Sequence, residues 1–259
     1  MNDAPQITRV RHELRRRALQ VAAVERFAPS MIRVRLRGAE LAGFTSTGFD
    51  DHIKVFFPAG GADTSTTALG PAMRDFTPRR YDSATGELWV DFFLHGAGPA
   101  SSWAAQAAVG QRLEIGGPKG SALIALQGIE AHVLIGDETA LPAIGRRLEE
   151  LPGGTPVVVV IETQDGARPE LPPTTASLEV VCVARSPGLA PAGQSLIDRL
   201  RALSLPAGRC FHWVALESRA ARAIRSYLRD ERGIDKRWIK ASGYWQQGSP
   251  GTHEHLADG

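Results

Sequence analysis

Arg74-Asp75-Phe76-Thr77-Pro78-Arg79 places two arginines, an aromatic ring and a hydroxyl within six residues. Alternate side chains of an extended chain share a face, so Phe76 points away from Asp75 and Thr77. Phe76 can then cover one face of an isoalloxazine. Thr77 can hydrogen-bond the ring's polar edge, and Arg74 or Arg79 can pair with a phosphate. A strand with an ordinary core phenylalanine and solvated arginines explains the same six residues. A second run, Leu94-His95-Gly96-Ala97-Gly98-Pro99-Ala100-Ser101-Ser102-Trp103, contains a glycine-led turn and two serines that open an Ala-rich helix. Free N–H groups and hydroxyls at a helix start bind a diphosphate; a plain serine N-cap is the commoner use of the same residues. Gly116-Gly117-Pro118-Lys119-Gly120-Ser121 reads first as a turn.

The elements around these runs fall into two kinds. Ile32, Val34 and Leu36 alternate with Arg33, Arg35 and Arg37, the period of a strand with one buried face. Further strands are expected over 52–57, 87–94 and 111–115, with a long, mobile loop over 58–73. Many strands and little helix before Ser101 predict a small antiparallel barrel. The pattern then changes. Apolar strands over 131–135, 157–161, 178–183, 211–216 and 237–241 alternate with helices over 137–151, 194–203 and 217–232. Pro142 confines the first of these helices to a start near Glu138 or Thr139. Such alternation predicts a parallel α/β sheet.

Apolar residues make up 43% of the 259 and charged residues 22%, a composition that predicts a soluble protein with a sizeable core. A net charge of +2 is too small to point to nucleic acid. Arg9, Arg11, Arg15, Arg16 and Arg17 lack interleaved aromatic residues, so the first 17 residues read as a solvated tail or a short helix. No run of about 18 apolar residues predicts a membrane span, and the first six residues lack a secretory pattern. Cys182 and Cys210 lie in apolar runs without ligand or redox spacing. They are expected to be buried thiols in the reducing cytoplasm. His253 and His255 flank Glu254 in a tail expected to be disordered rather than a metal site.

In order and spacing these pieces resemble the siderophore-interacting protein family, FAD-dependent ferric-siderophore reductases of the ferredoxin-reductase-like superfamily. The likeness rests on Asp51-His52-Ile53-Lys54-Val55-Phe56-Phe57-Pro58, on the runs already quoted, on Gly136-Asp137-Glu138-Thr139-Ala140-Leu141-Pro142-Ala143-Ile144 and on Gly243-Tyr244-Trp245. It implies a two-domain β plus α/β fold: an antiparallel FAD-binding β-barrel over 18–126, then a parallel-sheet pyridine-nucleotide-binding domain over 127–248. Residues 1–17 are expected to form a flexible amino-terminal segment and 249–259 a carboxyl-terminal tail. The resemblance assigns Arg74, Phe76, Thr77, Arg79, His95, Gly98, Ala100, Ser101, Ser102 and Trp103 to FAD. It assigns Gly136, Asp137, Glu138 and Thr139 to NADH or NADPH, although Asp137 and Glu138 also suit simple helix-dipole partners.

The implied substrate is an anionic ferric siderophore beside Lys54, with Lys119 and Lys240 as further candidates, and the implied protein is a monomer. Electrons would pass from NAD(P)H through the flavin to Fe(III), with no protein acid or base at the centre. Two departures bear on this. Gln246 and Gln247 stand where relatives often carry arginine, and Leu216-Glu217 stands where they often carry Gly-Glu, so Leu216 is expected to narrow the nucleotide's path. Glu162 could accept from a ribose hydroxyl, whereas Arg185, Arg219 and Arg222 could meet a 2′-phosphate. A flavin reductase with a protein electron partner, or a binding protein that holds the chelate without turnover, are the alternatives.

Overall fold

Residues 4–58, 72–96, 98–186, 191–248 and 254–255 are described in the computed structural model. They fall into two compact units: Thr8–Leu123, and residues 4–7 together with those from Ile124 onward.

In the first unit seven antiparallel strands curl into a half-barrel. They are β2 (Arg16–Ala28), β3 (Met31–Arg37), β4 (Ile53–Phe57), β5 (Ala72–Phe76), β6 (Pro78–Asp82), β7 (Glu87–Phe93) and β8 (Arg112–Gly116), in the order β5-β4-β8-β2-β3-β7-β6. Period-two patterning sets which face is buried: Val34 and Leu36 on β3, Ile53 and Val55 on β4, and Leu88, Val90 and Phe92 on β7 are all within the core. A short helix, α1 (Pro99–Ala105), follows β7. The predicted strands at 31–37, 52–57, 87–94 and 111–115 are all present, within a residue at either end.

The amino-terminal segment differs from expectation. Ile7–Arg11 is a strand, β1, paired with β9 (Gly120–Ile124), and β2 already begins at Arg16. Every residue of β1 is exposed, so it carries no amphipathic signal; its order comes from a partner more than a hundred residues away. Arg17, expected in a solvated tail, is buried. Its guanidinium donates to the carbonyls of Glu40 and Gly117 at 3.0 and 3.2 Å. Ala72 and Met73 belong to β5 rather than to the preceding loop, whose residues 59–71 lie outside those described.

The second unit holds a six-stranded sheet in the order β12-β11-β10-β13-β14-β15. Its members are β10 (Ala131–Asp137), β11 (Pro156–Thr163), β12 (Ser177–Ala184), β13 (Cys210–Glu217), β14 (Ile239–Trp245) and β15 (Glu254–His255). The first five are parallel. β10, β11 and β13 are near-continuous apolar runs because both faces are covered. Helices α2 (Leu141–Glu150), α3 (Gln194–Ala202) and α4 (Ser218–Ser226) supply the cover. A single 3₁₀ turn over Glu138–Ala140 precedes α2, so Pro142 lies in the first turn of the α-helix proper. α4 passes into a π-helical turn, Tyr227–Glu231. Glu217 caps it from outside, accepting from the N–H groups of Arg219 and Ala220. The carboxyl-terminal tail, expected to be disordered, supplies β15, whose backbone pairs antiparallel with Ser242 and Gly243; His253 lies outside the described residues. Cys210 is buried, while Cys182 is only half-buried.

Candidate functional site

The half-barrel brings the first set of predicted residues onto β5, β6 and α1. Among the described residues β5 is an edge strand paired with β4, with Arg74 opposite Val55 and Phe76 opposite Ile53. The Arg74 guanidinium donates to its neighbour's carbonyl at 2.8 Å and has no carboxylate partner among the described residues; burial draws its pKa down. Phe76 is half-buried. Its ring lies 4.6 Å from Phe92 and 6.1 Å from Phe57, so part of it belongs to the barrel's aromatic core. Trp103 joins the same cluster from α1, 5.8 Å from Phe57 and 5.5 Å from Phe92, and Ala100 packs beside it. Thr77 is buried at the break between β5 and β6. Arg79 is buried with its Nε 4.0 Å from Asp91, a carboxylate that Arg33 also holds with two bonds of 2.7 and 2.8 Å.

Ser101 is spent on the turn before it. Its hydroxyl lies 3.3 Å from both the N–H and the carbonyl of His95, and the His95 ring stacks on Phe93. The start of α1 is open instead at Gly98, where a Cβ would meet nothing within 4 Å. Ser102 is half-buried one turn in. An open backbone at a helix start, and an arginine without a carboxylate on β5, fit a group that carries a diphosphate.

Lys54 does not present a bare ammonium. It reaches across the β4–β5 pair to Asp75, Nζ to Oδ2 at 2.6 Å. The other Asp75 oxygen is buried and lacks a hydrogen-bond partner among the described residues. Lys119 is exposed in the turn before β9, and its carbonyl accepts from His12. Lys240 is half-buried on β14 in the other unit. Ser121, which reads as part of a turn, is buried on β9. It donates to Asp51 at 2.6 Å and lies 2.7 Å from His12 Nε2. This chain of bonds ties β1 and β9 to the residues before β4.

The parallel sheet gathers the second set at the carboxyl ends of β10, β11 and β12. Gly136 is a packing position: a Cβ there would lie 2.5 Å from Ala140 Cβ and 2.8 Å from the Ala215 carbonyl. Asp137 is buried and occupied. It accepts from Thr139 N and Thr139 Oγ1 at 2.9 and 2.5 Å, and its second oxygen accepts from Trp245 Nε1 at 2.7 Å. Burial pushes its carboxyl up to about 6, against the pull of those hydrogen bonds. Glu138 is buried too. One oxygen takes the Gln164 N–H at 2.7 Å and the other takes Arg185 at 2.5 Å. Arg185 Nε lies 3.1 Å from Glu162. Burial disfavours the Arg185 charge, but the two carboxylates outweigh it and hold the proton more tightly than usual. Glu162 and Arg185, alternatives in the sequence, are therefore partners. Leu216 does not narrow a nucleotide path: it is buried in the core beneath α4. The Asp137–Trp245 and Lys54–Asp75 contacts leave no trace in sequence spacing.

A half-barrel whose edge strand carries Arg74 and Phe76, followed by a parallel sheet with polar residues at the strand carboxyl ends, is the ferredoxin-reductase-like architecture. The chain belongs to the siderophore-interacting protein family: residues 20–122 match the siderophore-interacting FAD-binding domain, and residues 129–248 the siderophore-interacting protein domain. It is 34% identical to an NADPH-dependent ferric-chelate reductase of Escherichia coli over 95% of this chain and 99% of that one. A ferric vibriobactin reductase of Vibrio cholerae is 31% identical over 85% of each chain. A siderophore utilization protein from T. fusca of known structure superposes with a TM-score of 0.84 at 34% identity, covering 97% of this chain and 100% of that one.

Proposed function

We propose that the chain is an FAD-dependent ferric-siderophore reductase that draws on NADH or NADPH and releases Fe(II) for iron assimilation. The observation that carries this reading is the likeness, over nearly the whole chain, to a ferric-chelate reductase. It is supported by an Arg74 that has no carboxylate partner among the described residues, and by the open start of α1 at Gly98 in the same unit. Bound FAD and the nicotinamide nucleotide would supply hydride and single-electron chemistry, and iron is substrate rather than resident metal. Residues 18–126 would form the FAD-binding barrel and 127–248 the nucleotide-binding domain.

The protein's own part is binding, orientation and charge. Arg74 would meet a phosphate oxygen of FAD. Thr77 would hydrogen-bond the ring's polar edge, Phe76 would back the ring from the barrel core, and Arg79 would serve the same flavin site. Gly98 would let the diphosphate approach the α1 backbone, with Ser102 as a further hydroxyl donor; His95, Ala100, Ser101 and Trp103 shape the turn and helix. Gly136, Asp137, Glu138 and Thr139 form the floor of the nucleotide site rather than its direct ligands. Lys54, with Lys119 and Lys240 as further candidates, attracts the chelate. Among the described residues no helix is long and apolar enough to cross a membrane. The protein would act as a monomer, and its two free cysteines suit a reducing cytoplasm.

Arg74→Ala tests the flavin site. The variant should purify folded, with the circular dichroism of the parent and less than about a tenth of its flavin, as loss of a charge-assisted phosphate contact predicts. Unchanged flavin content would remove Arg74 from the site.

A further inference from the structure

The Glu138–Arg185–Glu162 cluster stands at the carboxyl ends of three adjacent parallel strands, where open α/β sheets take nucleotides. At that end of the sheet an acid suits a ribose 2′-hydroxyl and an arginine suits a 2′-phosphate. Here the two are joined. Arg185 is fixed through its main chain as well, its N–H bonding to the Thr163 carbonyl at 2.9 Å. Glu138 holds both Arg185 and the turn after β11, through Gln164. The turn packs closely on the end of β12: at Gly166, φ is 75° and a Cβ would lie 3.1 Å from Ala184. Glu162 occupies Nε and Glu138 occupies Nη2, which leaves Nη1 without a hydrogen-bond partner among the described residues. Arg185 is 34% exposed and Glu162 16%, so both are within reach of a ligand. Two carboxylates against one guanidinium leave the cluster a net negative charge.

Resting on the reading of this unit as nucleotide-binding, we propose that Glu162 is the residue that discriminates between the two nicotinamide nucleotides, by holding Arg185 and opposing a 2′-phosphate while accepting a 2′-hydroxyl. A 2′-phosphate that approaches Nη1 meets the Glu162 charge a few ångströms away. A ribose hydroxyl meets an acceptor instead. Glu138 is the positioning residue of the cluster: it is too buried to reach a ligand and keeps Arg185 in place when Glu162 is altered.

The test is calorimetric binding of AMP and of adenosine 2′,5′-bisphosphate to the purified full-length, flavin-loaded protein, so that no turnover is involved. Glu162→Gln should tighten the bisphosphate relative to AMP by about tenfold, the size expected for removing one nearby charge at a partly exposed site. Glu162→Asp, which keeps the charge, should stay near the parent ratio. The gain should vanish in Glu162→Gln combined with Arg185→Ala. AMP binding with the same ratio in parent and Glu162→Gln would overturn the proposal alone, as would a gain that survives loss of Arg185. Failure of the parent to bind either ligand would overturn the nucleotide reading of the unit and the proposal with it.

Discussion

Lys54 and Asp75 face each other across two strands, and their 2.6 Å contact sets how much positive charge this part of the barrel offers to a chelate. The lysine is about a third exposed, so the pair is worth about 1 kcal/mol at most. Asp75→Asn should therefore lower KM for a trianionic ferric chelate by roughly three- to fivefold and leave KM for the nicotinamide nucleotide unchanged. Lys54→Ala should raise the chelate KM alone. Steady-state assays with a ferrous trap check both, and a parallel change in the two constants would take Lys54 out of the substrate site. Asp137 makes a second prediction. Its folded pKa of about 6 lies above the ordinary 3.8, so between those values the folded protein holds a proton that the unfolded chain has released. The stability that this group confers is full below pH 3.8 and declines as pH rises through 6. Because Trp245 donates to the titrating carboxylate, its fluorescence should change with a midpoint near pH 6, and Asp137→Asn should flatten that change. An identical profile in the variant would disconnect the two residues.

The strands differ in how plainly the sequence announces them. β3, with arginines alternating against Ile32, Val34 and Leu36, and β11, an unbroken apolar run, are visible because burial on one or both faces imposes a period. β1 and β9 are not, because β1 buries nothing and their pairing joins distant segments. The same limit applies to the site. Arg74-Asp75-Phe76-Thr77 is legible as a local run, but the Asp75 hold on Lys54 and the Trp245 hold on Asp137 depend on which strands become neighbours. Leu216 misleads because, in a strand buried on both faces, position relative to a ligand depends on which face a residue takes. β10 carries a further cost that only the packing reveals. His132 is buried with neither ring nitrogen hydrogen-bonded among the described residues, and burial drives its pKa down to about 3. His212 on β13 is driven to about 4. The unfolded chain gains protons below pH 6.5 that the folded sheet refuses, so stability falls as pH drops from 6.5 toward 4. His132→Leu removes two unsatisfied nitrogens and one such proton. Thermal melts should show a Tm at pH 7 equal to or above the parent's and a smaller loss between pH 7 and pH 5. A Tm several degrees lower at pH 7 would mean the imidazole is bonded after all.

At the scale of the whole molecule, each unit has its own hydrophobic core, one around Phe57 and Phe92 and one around Val133, Val160 and Val214. A net charge of +2 over 259 residues is too small for a strong overall field. Selectivity for an anionic chelate or a phosphorylated nucleotide must then come from local groups such as Lys54, Arg74 and Arg185. The two units match consecutive family domains, and the account requires that both act in one electron path from nucleotide to iron. An anaerobic absorbance titration tests that requirement most directly. The purified protein should show an oxidised-flavin band that NADH or NADPH bleaches and a ferric siderophore restores, with a stoichiometric rise of trapped Fe(II). A protein that shows no flavin band after reconstitution with FAD, or whose bleached band a ferric siderophore does not restore, would contradict it.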